Sequence, residues 1–349
     1  MERPESPESP EEPSKEPPSL ASMSINQITR IYCRERLIVN PLYWTSRQLE
    51  LLQCSFTDPV PAPIPTRFEF TGERAGKRAI ATMRYRWDSV GRDWGILDLV
   101  QFDGGPLQSE RNSLRFRYGR LYKTLQYTTT FRARLEGGEK ADSPAIAAYL
   151  NHTLFRDYRE DKFYPHSHPR RGKNIAFSLY RLRLKKVTPS NCLFEPYVVA
   201  IMIAIAQEQQ RATLKQQGPQ LSDKSTFSAK LLSSSEDKDY LHLYTADFPS
   251  SFLDKLKYPS IPPPCPTPPI SIQILAIPFK PYKSLRDRIL ALLLPSRYGE
   301  QNGGHDVEKN KVPSESRRLI DQGVDNTTPT AQDSEDSTST DATMLSSTV

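Results

Sequence analysis

The stretch EPYVVAIMIAIAQEQQRATLKQQ, residues 195–217, decides the fold. Its first half is apolar on every side of a 3.6-residue helix, which predicts a helix buried on most of its faces. Pro196 sits in the first turn, where a missing backbone N–H costs nothing. The composition then changes abruptly to QEQQRATLKQQ, so the second half is expected to leave the core. The apolar run Tyr197–Ala206 is far short of the ~20 residues that span a bilayer.

Working outward, 225–232 and 240–245 read as two strands joined by SSSEDKD as a hairpin, and 270–277 as a third strand. Ser251 with Asp254 forms a capping-box pattern for a short helix. Ser284 with Asp287 forms another for LRDRILALLL, which Pro295 stops. Upstream, 175–187 (IAFSLYRLRLKKV) alternates like a strand, and 143–158 fits a helix with Ile146, Tyr149, Leu150, Leu154 and Tyr158 in register. Strands are expected at 67–70, 79–87 and 94–102, with GER and DSVGRD as turns. Residues 121–135, LYKTLQYTTTFRARL, alternate cleanly as one half-buried antiparallel strand. The Pro-rich joint 58–66 favours extended backbone. Before it lie two helix starts. Ser24 with Gln27 opens a face of Ile25, Ile28 and Ile31; Thr45 with Gln48 precedes Leu49, Leu52 and Cys54. The sum is an α+β fold: antiparallel strands packed with several helices, without a βαβ rhythm.

The ends differ from this core. Residues 1–23 are a Glu/Pro/Ser tract and 296–349 are rich in Ser, Thr and Asp. Neither has the apolar surface to offset the entropy of ordering, so both are expected to be disordered tails around a core at 24–295. The tails carry net charges of −4 and −5, and the core +15. The overall +6 thus conceals a strongly basic core, which favours polyanions: nucleic acid, an anionic surface or an acidic protein. Cys33, Cys54, Cys192 and Cys265 form no CxxC pair and suit a reducing compartment. The acidic, Pro-rich N-terminus is unlike a targeting segment.

Two basic stretches stand out. In 170–186, RRGKNIAFSLYRLRLKK, seven of seventeen residues are basic and none is acidic. Arg170, Arg171 and Lys173 form one cluster; Arg181, Arg183, Lys185 and Lys186 form a second. That spacing suits a bipartite nuclear import signal read by an import receptor, and equally a strand with a solvated basic edge. The second stretch holds Arg115, Arg117, Arg120, Lys123, Arg132 and Arg134 among Phe116, Tyr118, Tyr122, Tyr127 and Phe131. Cations neutralise phosphates and rings stack on bases, so these are nucleic-acid-binding candidates. A hairpin with core aromatics and a solvent face of arginines would show the same pattern. His166 and His168 make an HxH pair lacking further metal ligands. Glu236-Asp237-Lys238 matches the acidic-x-Lys element of restriction-like nucleases only formally, because it falls in a Ser-rich turn instead of a strand. No catalytic residue, metal site or cofactor is assigned.

Three segments, EPYVVAIMIAIAQEQQR (195–211), YLHLYTADFPSSFLDKLKYPS (240–260) and PFKPYKSLRDRILALLLPSR (278–297), resemble a family of filamentous-fungal proteins without assigned chemistry, the hypoxia-responsive morphology factors. The resemblance covers the last third of the core. It implies a nuclear regulator, not an enzyme, affecting colony and biofilm form at low oxygen, and it implies no catalytic residues. The expectation is therefore a nuclear protein whose basic core meets nucleic acid or an acidic nuclear protein, with no membrane partner. The alternatives are a restriction-like nuclease and a cytoplasmic scaffold docking a partner through the apolar helix.

Overall fold

The computed structural model describes residues 19–63, 77, 80–81, 89–134, 143–165, 173–217, 225–234, 237 and 239–294. Among these, the buried helix is α6 (Pro196–Gln217), beginning at Pro196 as the sequence predicts. Tyr197–Ala206 are at most 2% exposed. A fully buried Val, Ile or Met contributes roughly 1.5–3 kcal/mol, so this one segment outweighs any cap or surface pair in the molecule. No single helix among the described residues is long and apolar enough to cross a membrane.

The helix lies on a mixed sheet ordered β1-β10-β9-β8-β7-β6-β3, with β2 also on β10. The strands are β1 (Cys54–Phe56), β2 (Val60–Pro61), β3 (Leu107–Arg111), β6 (Thr128–Ala133), β7 (Ala145–Asn151), β8 (Thr226–Ser234), β9 (Tyr240–Pro249) and β10 (Ile270–Pro278). A separate two-stranded ribbon pairs β4 (Arg115–Tyr118) with β5 (Leu121–Thr124). Both faces of the sheet are covered. On one, Ala148, Leu150, Leu231 and Ile272 meet α6, with α1 (Ile25–Ile31), α2 (Ser46–Leu51) and α7 (Ser250–Lys257) alongside. On the other, Ala147, Tyr149, Leu232 and Ile277 meet α3 (Ser89–Val100) and α8 (Leu285–Leu293).

The α+β class holds, and several elements fall where the periodicity puts them. The Ser24 and Thr45 capping boxes both form, with Ser24 N donating to Gln27 Oε1 at 2.8 Å and Thr45 N to Gln48 Oε1 at 2.7 Å. The β8–β9 hairpin is antiparallel, and β10 follows. Helices α7 and α8 exist, but neither Ser251 nor Ser284 caps: α7 starts one residue earlier behind Pro249, and Ser284 Oγ donates to Pro281 O.

Five expectations are corrected. Residues 94–100 belong to α3, not a strand, and its exposed positions Val90, Trp94 and Asp98 keep helical spacing. Residues 145–151 are strand β7, and the helix α4 (His152–Phe163) begins only after it. β7 is covered on both faces, so it reads as an unbroken apolar run without alternation. Residues 173–187 form helix α5 (Lys173–Val187) instead of a strand. Lastly, β7 and β8 are parallel, joined through α4, α5 and α6 as one βαβ crossover. The stretch 121–135 is not one strand either: Tyr127, at φ 58°, turns the chain between β5 and β6. The strands expected at 67–70 and 79–87 lie wholly or largely outside the described residues.

The N-terminus of α6 is buried, and Glu195 satisfies it. Its Oε1 accepts from Tyr197 N at 3.1 Å, and its carboxylate takes both Arg159 Nη atoms, at 2.8 and 2.5 Å. Arg159 is 2% exposed and Glu195 1%, and His152 lies 3.9 Å away. Burial alone would raise the Glu195 pKa. The hydrogen bonds from His152, Arg159 and the Tyr197 N–H, together with the Arg159 charge, overcome it and leave the pKa lowered. A lowered carboxylate pKa means stability that is full above the ordinary Glu range and is lost as pH falls through the folded value. Arg159→Leu leaves a buried carboxylate without its main partner and should cost about 3–5 kcal/mol in urea unfolding. It should also remove part of the loss of stability expected of wild type below pH ~4.

Candidate polyanion-binding cleft

The polar half of α6 does not simply leave the core. The Gln207 amide pairs with the Arg117 backbone in both directions: Arg117 N donates to Oε1 at 2.9 Å, and Nε2 donates to Arg117 O at 2.8 Å. Gln209 Nε2 donates to Ala145 O and Ser228 O, each at 3.0 Å, and Gln210 Nε2 donates to Asp254 Oδ1 at 3.1 Å. The three glutamines thus tie α6 to β4, to β7 and β8, and to α7. Gln207 holds the β4–β5 ribbon beside the outer turns of the helix.

Between ribbon, sheet edge and helix opens a cleft of 540 Å³. Arg115 and Arg117 enter from β4, Arg132 from β6, and Arg211 and Lys215 from α6, one turn apart on a common face. Two carboxylates, Glu110 and Glu208, share the lining. Both are engaged by Arg132, Glu208 closely and Glu110 at 3.6 Å, and Glu208 also accepts from Ala145 N at 3.2 Å. Among the described residues no ion pair reaches Arg115, Arg117 or Arg211. Arg117 Nε is buried without a hydrogen-bond partner. Burial lowers the Arg211 pKa, and the charges of Arg117, Arg115 and Arg132 press it further down against the opposing pull of Glu208. Arginine stays protonated at any physiological pH, so the cleft keeps a net positive potential, with its two carboxylates both taken up by Arg132. Arg115 lies 5.2 Å over the ring of Tyr122, itself 54% exposed, which puts an aromatic face at the rim.

The ribbon explains which candidates converge. Opposed residues share a face, and Arg115 faces Thr124 while Arg117 faces Tyr122. Phe116 faces Lys123, so Lys123 lies on the other side, over a small apolar pocket with Trp44 and Leu121. Arg120 is exposed at the ribbon turn and Arg134 beyond the end of β6; neither lines the cleft. Phe116 and Phe131 are core, whereas Tyr127 is 45% exposed and packs on Tyr158 at 4.9 Å. The sequence reading missed Arg211 and Lys215; their i, i+4 spacing on the polar half of α6 was the available signal.

The second basic cluster sits elsewhere. Arg181, Arg183, Lys185 and Lys186 are exposed on α5, and Lys173 opens that helix. Arg170, Arg171, His166 and His168 lie outside the described residues, as do Glu236 and Lys238. Asp237 Oδ1 accepts from Asp239 N and Tyr240 N, so it shapes the hairpin turn. Among the described residues no strand carries an acidic-x-Lys element. Nor does any group of three or more His, Cys, Asp or Glu gather there in a metal-binding arrangement. At the C-terminal ends of β7 and β8, Tyr149 and Ser234 hydroxyls meet at 2.7 Å. Asp93 accepts from Tyr149 and Asn151, with its pKa raised by burial. This polar group fastens α3 to the sheet, and its Asn151 also caps α4 by accepting from Leu154 N at 3.1 Å.

The chain matches no known family model, and no curated protein is significantly similar to it.

The cleft's electrostatics are checkable. Glu208→Gln removes the carboxylate that holds Arg132. Affinity for a labelled oligonucleotide should rise about fivefold, the equivalent of ~1 kcal/mol, as read by fluorescence anisotropy.

Proposed function

We propose that the protein is a non-enzymatic nuclear regulator that grips the phosphate backbone of nucleic acid in the cleft between β4, β6 and α6. The observation that carries this reading is the convergence of Arg115, Arg117 and Arg211, none of which has an ion pair among the described residues. Like charges held together without neutralisation are unfavourable in the free protein, and a phosphate relieves that. Contacts to backbone phosphates position a polymer without selecting sequence. Tyr122 at the rim adds a face on which a splayed base can stack, which favours single strands.

The regulatory half of the proposal, influencing gene expression and colony form at low oxygen, rests on the resemblance of 195–211, 240–260 and 278–297 to the fungal morphology factors. Nuclear residence rests on the cations of 170–186. Import receptors take such peptides extended, so Arg181, Arg183, Lys185 and Lys186 would engage once α5 unwinds from the body.

Binding should weaken steeply and linearly in log salt. Replacing Arg117 and Arg211 together by Ala should cut affinity for a single-stranded oligonucleotide at least tenfold and shallow the salt slope by about 1.4, two phosphates' worth. A flat salt response, or a double variant that binds like wild type, would overturn the reading. For localisation, a fluorescent fusion should be nuclear in fungal cells, and Ala at Arg170, Arg171, Lys185 and Lys186 should shift it to the cytoplasm. A cytoplasmic wild type would remove the nuclear half of the proposal and leave the cleft untouched.

A further inference from the structure

Helix α5 carries an apolar stripe that stays exposed among the described residues. At about 100° per residue, Ile175, Leu179 and Leu182 fall on one narrow line. They are 72%, 47% and 65% exposed. Lys186 continues that line one turn on, Arg183 flanks it on one side and Lys185 on the other, with Arg181 farther round toward the packed face; all four are exposed. Residues 170–187 contain no acid. The opposite face is occupied: Phe177 and Tyr180 pack edge-on against Tyr164 at 5.6 and 5.8 Å, and Val187 is buried. Beside the C-terminal end of the helix, Arg183 and Lys186 line a cleft of 340 Å³ with Arg34 and Arg36, against Glu35.

We infer that α5 is a docking face for an anionic phospholipid surface. The stripe enters the boundary between headgroups and acyl chains, the flanking cations sit at headgroup level, and the Arg34–Arg36 cleft takes a headgroup phosphate. An aliphatic line with cations on both sides, on a helix lying flat, is the pattern of interfacial helices. Nucleic acid offers three exposed aliphatic side chains nothing to pack on. A protein groove that grips an amphipathic helix wraps more than one face, and here the other half of the helix is already packed on the body. The stripe also lacks the Trp, Tyr and Arg anchors that dominate protein interfaces. Binding at a surface needs no membrane-spanning run, so the shortness of Tyr197–Ala206 does not bear on it.

The test is co-sedimentation of the full chain with vesicles of phosphatidylcholine alone or of equal parts phosphatidylcholine and phosphatidylserine. Wild type should bind the phosphatidylserine vesicles and ignore the neutral ones. The triple variant Ile175→Gln, Leu179→Gln, Leu182→Gln should lose roughly tenfold or more of that binding with an unchanged melting temperature, since all three positions are exposed. Arg34→Ala with Arg36→Ala should weaken it as well. Three results would overturn the inference. One is no binding to phosphatidylserine. Another is a triple variant that binds like wild type, which would mean adsorption by charge alone. The third is a wild type that ignores vesicles yet forms a discrete complex with calcium-loaded calmodulin, lost in the triple variant. The helix would then be a protein-docking element.

Discussion

Burying ten apolar residues of α6 against a sheet forces its N-terminal N–H groups into a place water does not reach, and Glu195 is the answer to that constraint. One carboxylate oxygen caps Tyr197 N, and the pair of oxygens takes the Arg159 guanidinium. Arg159 belongs to α4 and also donates to Val187 O at the end of α5. A single buried ion pair therefore joins the three helices of the crossover between β7 and β8. It also fixes how far α6 reaches along the sheet. Everything at the other end of the helix depends on that length: were α6 shifted by one residue, Gln207 would no longer meet the Arg117 backbone, and Arg211 would turn away from the ribbon.

Such a pair is not the largest source of stability. The apolar burial around it is several times greater, and a well-packed hydrophobic replacement of a buried pair is often neutral. What the charges supply is register. The same logic runs through the QEQQ segment, where each amide finds backbone or carboxylate partners that only one placement of the helix provides.

The capping boxes at Ser24 and Thr45 were legible from side-chain spacing alone, α6 from an apolar run too long for a strand, and the β8–β9 hairpin and β10 from branched and aromatic runs bounded by turn residues. Legibility failed where an apolar strand runs straight into a helix or where short-range alternation misled. AIAAYLN in β7 has no polar face to reveal a period of two, and it adjoins a true helix, so the two merged. In α5, the alternation Tyr180-Arg181-Leu182-Arg183-Leu184-Lys185 imitates a strand, while the helical signal, Phe177, Tyr180, Leu184 and Val187, is diluted by exposed apolar residues on the far side. The cleft was half legible. Arg115, Arg117 and Arg132 carry the right chemistry in the right strands. Strand pairing sends Lys123 to the opposite face of the ribbon, and Arg211 arrives from a helix distant in sequence; no local pattern contains either fact.

The basic charge of the core is therefore divided between two surfaces of different character. Around the cleft, the arginines stand with two glutamates, Gln108, Ser109 and Ser113, and its lining holds no aliphatic side chain larger than Pro144 and Ala212. On α5, comparable cations border three exposed aliphatic side chains. Charge attracts a polyanion to both with the same long range, since screening acts over about 10 Å whatever the source of the field. Discrimination must then come at contact. A phosphate backbone gains hydrogen bonds in the cleft and gains nothing from leucine. An acyl boundary gains from leucine and offers the cleft's recessed Arg117 no more than a headgroup would. Two polyanions can thus compete for the protein at a distance and still be sorted by what lies between the cations.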